Sequence, residues 1–103
     1  MRGGQIQDAR LFGDGYDFQI ELSPRFILAE VKGLQTRRGA VRLTEKEFRT
    51  AEEYSDDYAL IVVSNLQDSP RLNLIQNPTR ELKLRRQIIT AEAVTYHSEA
   101  LTW

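Results

Sequence analysis

Residues 16–22 alternate in character: Tyr16, Phe18, Ile20 and Leu22 on one side, Asp17, Gln19 and Glu21 on the other. A period of two is that of a strand with one buried face. Gly13-Asp14-Gly15 ahead of it is a turn signal, and Ser23-Pro24-Arg25 behind it reads as a tight connection. The next run, Phe26 to Lys32, is apolar until Glu30 and Lys32. It predicts a second strand, covered on both faces, with polar groups emerging only at its rim. Gly33 to Gly39 reads as a loop and Ala40 to Leu43 as a short third strand.

The period then changes. Thr44-Glu45-Lys46-Glu47 is a capping box, in which Thr44 bonds the Glu47 amide and Glu47 reaches back to Thr44. It predicts a helix to about Tyr54, with Phe48, Ala51 and Tyr54 as its buried stripe. Asp56-Asp57 is a turn. Tyr58 to Val63 is apolar and β-branched, the strongest strand in the chain and the one expected at the sheet centre. Leu72 to Ile75 predicts another strand, stopped at Asn77-Pro78. Residues 79–87 are basic and read as helical, and residues 88–97 as a last strand. The expectation is a mixed α/β fold, a central mixed sheet with one main helix. It is read as one domain over 1–103, with a mobile start (1–12), a core (13–80) and a basic C-terminal extension (81–103).

Composition narrows the function. The chain is 41% hydrophobic and 28% charged, which suits a small globular domain. A net charge of −1 gives no strong overall field for nucleic acid, so any DNA contact must be a local basic patch. With no cysteine and a single histidine, His97, thiolate zinc sites and multi-histidine metal sites are excluded. No apolar run approaches the roughly 20 residues of a membrane span. The first residues lack a secretory apolar stretch, so cytoplasmic residence is expected.

The candidate chemistry is Asp17 followed by Glu30-Val31-Lys32. Residues two apart on a strand share a face, so Glu30 and Lys32 project together. If the first two strands form a hairpin, Asp17 faces the same edge. Two carboxylates suit Mg²⁺ or Mn²⁺, which take oxygen ligands, and an ammonium beside them suits a phosphate in transfer. On spacing alone, the plainer reading of the Glu-Lys pair as a solvated surface stands beside this one. Arg37, Arg38 and Arg42 follow closely and read either as DNA-phosphate contacts or as a solvated loop. Arg80, Lys83, Arg85 and Arg86 read as a solvated amphipathic segment, and His97 as an ordinary strand-face histidine. Trp103 either docks on the core or frays.

Taken in order, several blocks resemble the domain family found at the C-terminus of the plant protein NO VEIN, which also ends many bacterial helicase-like and phage-defence proteins. They are Gly15-Tyr16-Asp17-Phe18, then Phe26 to Gly33, Val41 to Phe48, Asp56 to Val63, Pro70-Arg71-Leu72 and Ile75 to Pro78. That family is similar to the PD-(D/E)XK, restriction-endonuclease-like superfamily. The resemblance implies a restriction-endonuclease-like core over 13–80. It implies Asp17 and Glu30 as metal ligands, Lys32 as the catalytic lysine, and Glu47 as a further acidic residue, beside its reading as a helix cap. It implies a Mg²⁺- or Mn²⁺-dependent nuclease domain acting on DNA in a restriction, phage-defence or helicase-associated setting. The superfamily usually places a helix before the first strand, and only about fifteen residues precede Asp17 here. A missing N-terminal helix is therefore expected. With it comes an alternative: a non-catalytic module that binds nucleic acid or assembles with a helicase or defence subunit, or as a homodimer.

Overall fold

The computed structural model describes residues 6–8, 15–90 and 93–103. Strands β1 (Ile6–Asp8), β2 (Phe18–Leu22), β3 (Arg25–Gly33), β6 (Tyr58–Ser64) and β7 (Arg71–Gln76) form the main sheet, in the order β1-β2-β3-β6-β7. Between β3 and β6 run β4 (Arg38–Gly39), β5 (Arg42–Thr44) and α1 (Glu45–Tyr54). After β7 come α2 (Pro78–Glu81), β8 (Arg85–Thr90), β9 (Ala93–His97) and β10 (Leu101–Thr102).

The sheet is mixed. β2 and β3 form the expected hairpin, with Phe18 opposite Ala29 and Ile20 opposite Ile27. β3 and β6 run parallel, Glu30 opposite Leu60 and Lys32 opposite Val62. A parallel pair needs a long crossover, and α1 lies in it. β7 returns antiparallel to β6. β3 and β6 are both interior strands, so Tyr58 to Val63 lies inside the sheet, as its β-branched run predicts, with β3 beside it at the middle.

The capping box forms as read, and it opens α1 at Glu45. Ala51 of α1 packs on Leu28 and Tyr58. A second core of Val41, Leu43, Leu60, Val62, Tyr96 and Trp103 joins this sheet face to the small sheet β5-β9-β8. Phe48 of α1 stacks on Tyr96 with ring centroids 3.7 Å apart. The Trp103 indole N–H donates to the Gly39 carbonyl at 2.9 Å, so the last residue docks.

Two expectations change past residue 78. The helical reading of 79–87 gives way to one short helix, α2, followed by β8; residues 88–97 divide between β8 and β9. Of 79–87 only residues 85–87 are strand, paired antiparallel with β9, while Leu82 and Leu84 lie in the connection before β8 and pack against the second core. The third strand begins at Arg42 rather than Ala40. Of the first twelve residues only Ile6–Asp8 are described, as an edge strand against β2. The expected mobile start and missing N-terminal helix otherwise lie outside the described residues.

The far face of the main sheet carries Phe18, Ile20, Val31, Ile61, Val63 and Leu72 around an apolar recess of about 330 Å³. Among the described residues no helix covers it. Among the described residues no helix is long and apolar enough to cross a membrane.

Candidate active site

Glu30 and Lys32 point from β3 toward α1, and α1 answers with Glu47. The Lys32 ammonium donates to Glu47 Oε1 at 2.8 Å and sits 3.3 Å from Glu30 Oε2. The same Glu47 oxygen accepts the Thr44 backbone N–H at 2.9 Å, while the Glu47 N–H donates to Thr44 Oγ1 at 3.1 Å. One carboxylate thus caps the helix and anchors the lysine. The reading of Glu47 as a helix cap holds, and the same carboxylate also reaches Lys32 on β3.

Asp17 arrives from just before β2. Its N–H donates to the Ala29 carbonyl at 2.8 Å, and its Oδ2 accepts the Val31 N–H at 2.9 Å. Asp17 is thus tied to the β3 backbone on either side of Glu30, by its own N–H at Ala29 and by its carboxylate at Val31. The approach depends on Gly15, which is buried at φ +87° against α1. A Cβ there would collide with the Thr50 side chain and lie 2.8 Å from the Lys46 carbonyl. The Tyr58 hydroxyl donates to the Gly15 carbonyl at 2.8 Å and ties this segment to β6.

Glu30 is only 4% exposed, so it does not emerge at a rim as the sequence pattern suggested. α1 and Lys32 close over it. Burial first, then the Glu47 charge, push its carboxyl up to about 8 against the opposing pull of Lys32; Asp17 adds to the rise. Burial acts the same way on Glu47, but hydrogen bonds from Lys32 and the Thr44 amide outweigh it and hold Glu47 below the usual range. Lys32 rises above its ordinary value: burial opposes the charge, and its bonds to Glu47 and Glu30 win. The cluster therefore favours a proton on Glu30.

Among the described residues, no three His, Cys, Asp or Glu side chains form a ready-made metal cluster. The donors at hand are Asp17 and Glu30, with Glu47 held across Lys32. Hard carboxylate oxygens of this number fit Mg²⁺ or Mn²⁺, since Mg²⁺ is commonly held by one or two carboxylates and keeps several waters. A buried carboxyl facing two other acids is also where added positive charge is most favourable.

A cleft of about 370 Å³ opens beside Lys32, with Leu34, Val41, Arg42 and His97 in its walls. Of the three arginines singled out in the sequence, Arg42 reaches this cleft. Arg37 and Arg38 are exposed near β10: the Arg37 carbonyl accepts the Trp103 N–H at 2.7 Å, and the Arg38 guanidinium donates to Thr102 Oγ1 at 3.4 Å. His97, read as an ordinary strand residue, shares the cleft with Lys32. No local pattern signals this, because β5 and β9 meet across some fifty residues of chain.

Residues 2–75 match the family described as Protein NO VEIN, C-terminal. Among solved structures, that of D212, a nuclease from a fusselovirus, superposes with a TM-score of 0.57. The match covers 91% of this chain and 65% of that one at 13% identity, so this chain spans about two thirds of that nuclease. The likeness is one of fold: a restriction-endonuclease-like mixed sheet with one main helix. No curated protein matches the chain.

Proposed function

This chain belongs to the NO VEIN C-terminal family, and we propose that it is a nuclease domain hydrolysing phosphodiester bonds in DNA with Mg²⁺ or Mn²⁺. The observation that carries this reading is the Lys32 ammonium, held between Glu30 and Glu47 on β3 beside the β3-anchored Asp17. Held by Asp17 and Glu30, a divalent cation supplies Lewis-acid polarisation of the phosphate and a more acidic water. Lys32 donates to a phosphate oxygen or to the attacking water and stabilises the charge that builds in the transition state. Glu47 fixes the position of Lys32, and the helix cap fixes Glu47. Arg42, across the cleft, offsets the repulsion between the acidic pair and the incoming phosphate. The biological setting in this proposal is prokaryotic and cytoplasmic, in restriction or phage defence, beside a helicase or similar subunit.

The test is cleavage of supercoiled plasmid and of single-stranded DNA in Mg²⁺ and in Mn²⁺. Wild type is expected to nick or degrade at least one substrate, and Asp17→Ala and Lys32→Ala to lose the activity. Equal behaviour of all three chains would sink the assignment.

One observation favours a second reading, a nuclease-fold module that assembles as a homodimer without cutting. The apolar far face of the main sheet continues into β7, where Leu72 is 72% and Leu74 65% exposed. This reading expects a dimer by light scattering and no Mn²⁺ binding.

A further inference from the structure

The small sheet has two unlike faces. Leu43 lies opposite Tyr96, and both are core residues. The neighbouring rung runs Arg42–His97–Arg85 across β5, β9 and β8. Directly paired residues point to the same side, so this rung carries three basic side chains in a row. The next rung on that side is Thr44–Thr95–Gln87, all hydrogen-bonding groups. The Thr95 hydroxyl and His97 Nε2 lie 2.7 Å apart, which holds the imidazole over the sheet. Among the described residues, neither Arg42 nor Arg85 is paired with a carboxylate. Arg25, Arg49 and Arg80 all are. The rung begins at the Lys32 cleft, whose walls include Arg42 and His97.

Resting on the nuclease reading, we infer that this face of the small sheet is the nucleic-acid track of the domain. Arg42, His97 and Arg85 hold successive phosphates of a strand whose scissile phosphodiester lies at Lys32. Paired Cα atoms stand about 5 Å apart, so the rung spans about 10 Å. A nucleic-acid strand advances about 3.4 Å per nucleotide along its axis but its phosphates stand further apart in space, so that span, with the reach of the arginine side chains, meets about two to three phosphates.

The test is binding of a fluorescein-labelled 20-nucleotide DNA to the full chain in EDTA, by anisotropy, across a salt series. Manganese-dependent cleavage is measured in parallel. Arg42→Ala and Arg85→Ala are each expected to weaken binding about three- to tenfold at low salt and to lower the salt slope by about one. His97→Gln weakens it less. Arg42→Lys and Arg85→Lys restore most of the loss, which a merely structural role would not predict. Arg25→Ala is the control, since Arg25 begins β3 about 23 Å along the strand from Lys32. Melting temperatures of the exposed-site variants should stay at the wild-type value. Loss of binding in the rung variants sustains the inference even if the wild type never cuts, an outcome that removes the nuclease reading alone. Unchanged affinity and salt slope in both alanine variants, or no binding by the wild type, overturns it even if cleavage is found.

Discussion

Glu47 carries two jobs on one oxygen, and the two can be separated. Its Oε1 accepts both the Thr44 amide and the Lys32 ammonium. Glu47→Gln keeps an oxygen for the cap but removes the charge that anchors Lys32. It should cost about 1 kcal/mol or less in stability yet lower cleavage at least tenfold. Thermal melts and initial cleavage rates check the split; parallel losses in both would mean that Glu47 serves the helix alone. Glu30 sets a pH dependence of known sign. Its folded carboxyl is pushed up to about 8 from an ordinary 4.5, so the folded state holds a proton that the unfolded chain releases. That contribution is fully present below about pH 4.5 and is lost as pH rises toward 8. Glu47 shifts the other way and acts at the acid end, outside this window. The wild type should therefore lose stability between pH 5 and 8 without metal, and Glu30→Gln should flatten the slope and raise the melting temperature at pH 8. In a domain of this size about 1 kcal/mol moves the midpoint by about 4–8 °C, well within calorimetric reach. A wild-type curve rising over that range would contradict the buried protonated Glu30.

At the scale of elements, the site hangs on two local devices, the α1 cap and the Gly15 approach. Thr44→Ala removes the side-chain half of the capping box and should cost about 1 kcal/mol. Gly15→Ala meets both a positive φ and the Lys46 carbonyl, so it should cost more, about 2–3 kcal/mol, and should abolish cleavage by moving Asp17 off β3. Chemical denaturation of the two variants gives the comparison; equal, small losses would show that the Gly15 contact is slack. These devices also explain what was legible beforehand. The capping box, the alternation of 16–22 and the apolar run into Glu30 and Lys32 are local signals, and α1, β2 and β3 formed where those signals lie. The burial of Glu30 was not legible, since it depends on α1 folding back over β3. Nor was the small sheet, because β5 takes its partner from the far end of the chain. Basic residues 79–87 read as helical, but the stretch splits between α2 and β8, and the β8 part is set by pairing with β9, which no local pattern carries.

Across the whole molecule, the two sides of the main sheet divide the work. One side, under α1 and the small sheet, is closed by Tyr58, Leu60, Val62 and Trp103 and holds the acidic cluster between β3 and α1. Leu60 is fully buried there, so Leu60→Ala should cost about 2–5 kcal/mol. The other side is apolar and, among the described residues, has no helix on it. If a second copy covers that side, Leu72→Lys with Leu74→Lys should turn a dimer into a monomer in light scattering while leaving the acidic cluster intact. A monomeric wild type would remove the homodimer reading. The central claim is narrower: that Asp17, tied to β3, and buried Glu30 make one site for a divalent cation beside Lys32. Calorimetric titration of Mn²⁺ into the full chain tests it most directly. The account predicts one Mn²⁺ per chain in the wild type, affinity lower by at least about tenfold in Asp17→Asn and in Glu30→Gln, and retained binding in Lys32→Met. No Mn²⁺ uptake by the wild type, or equal uptake by all four chains, would contradict it.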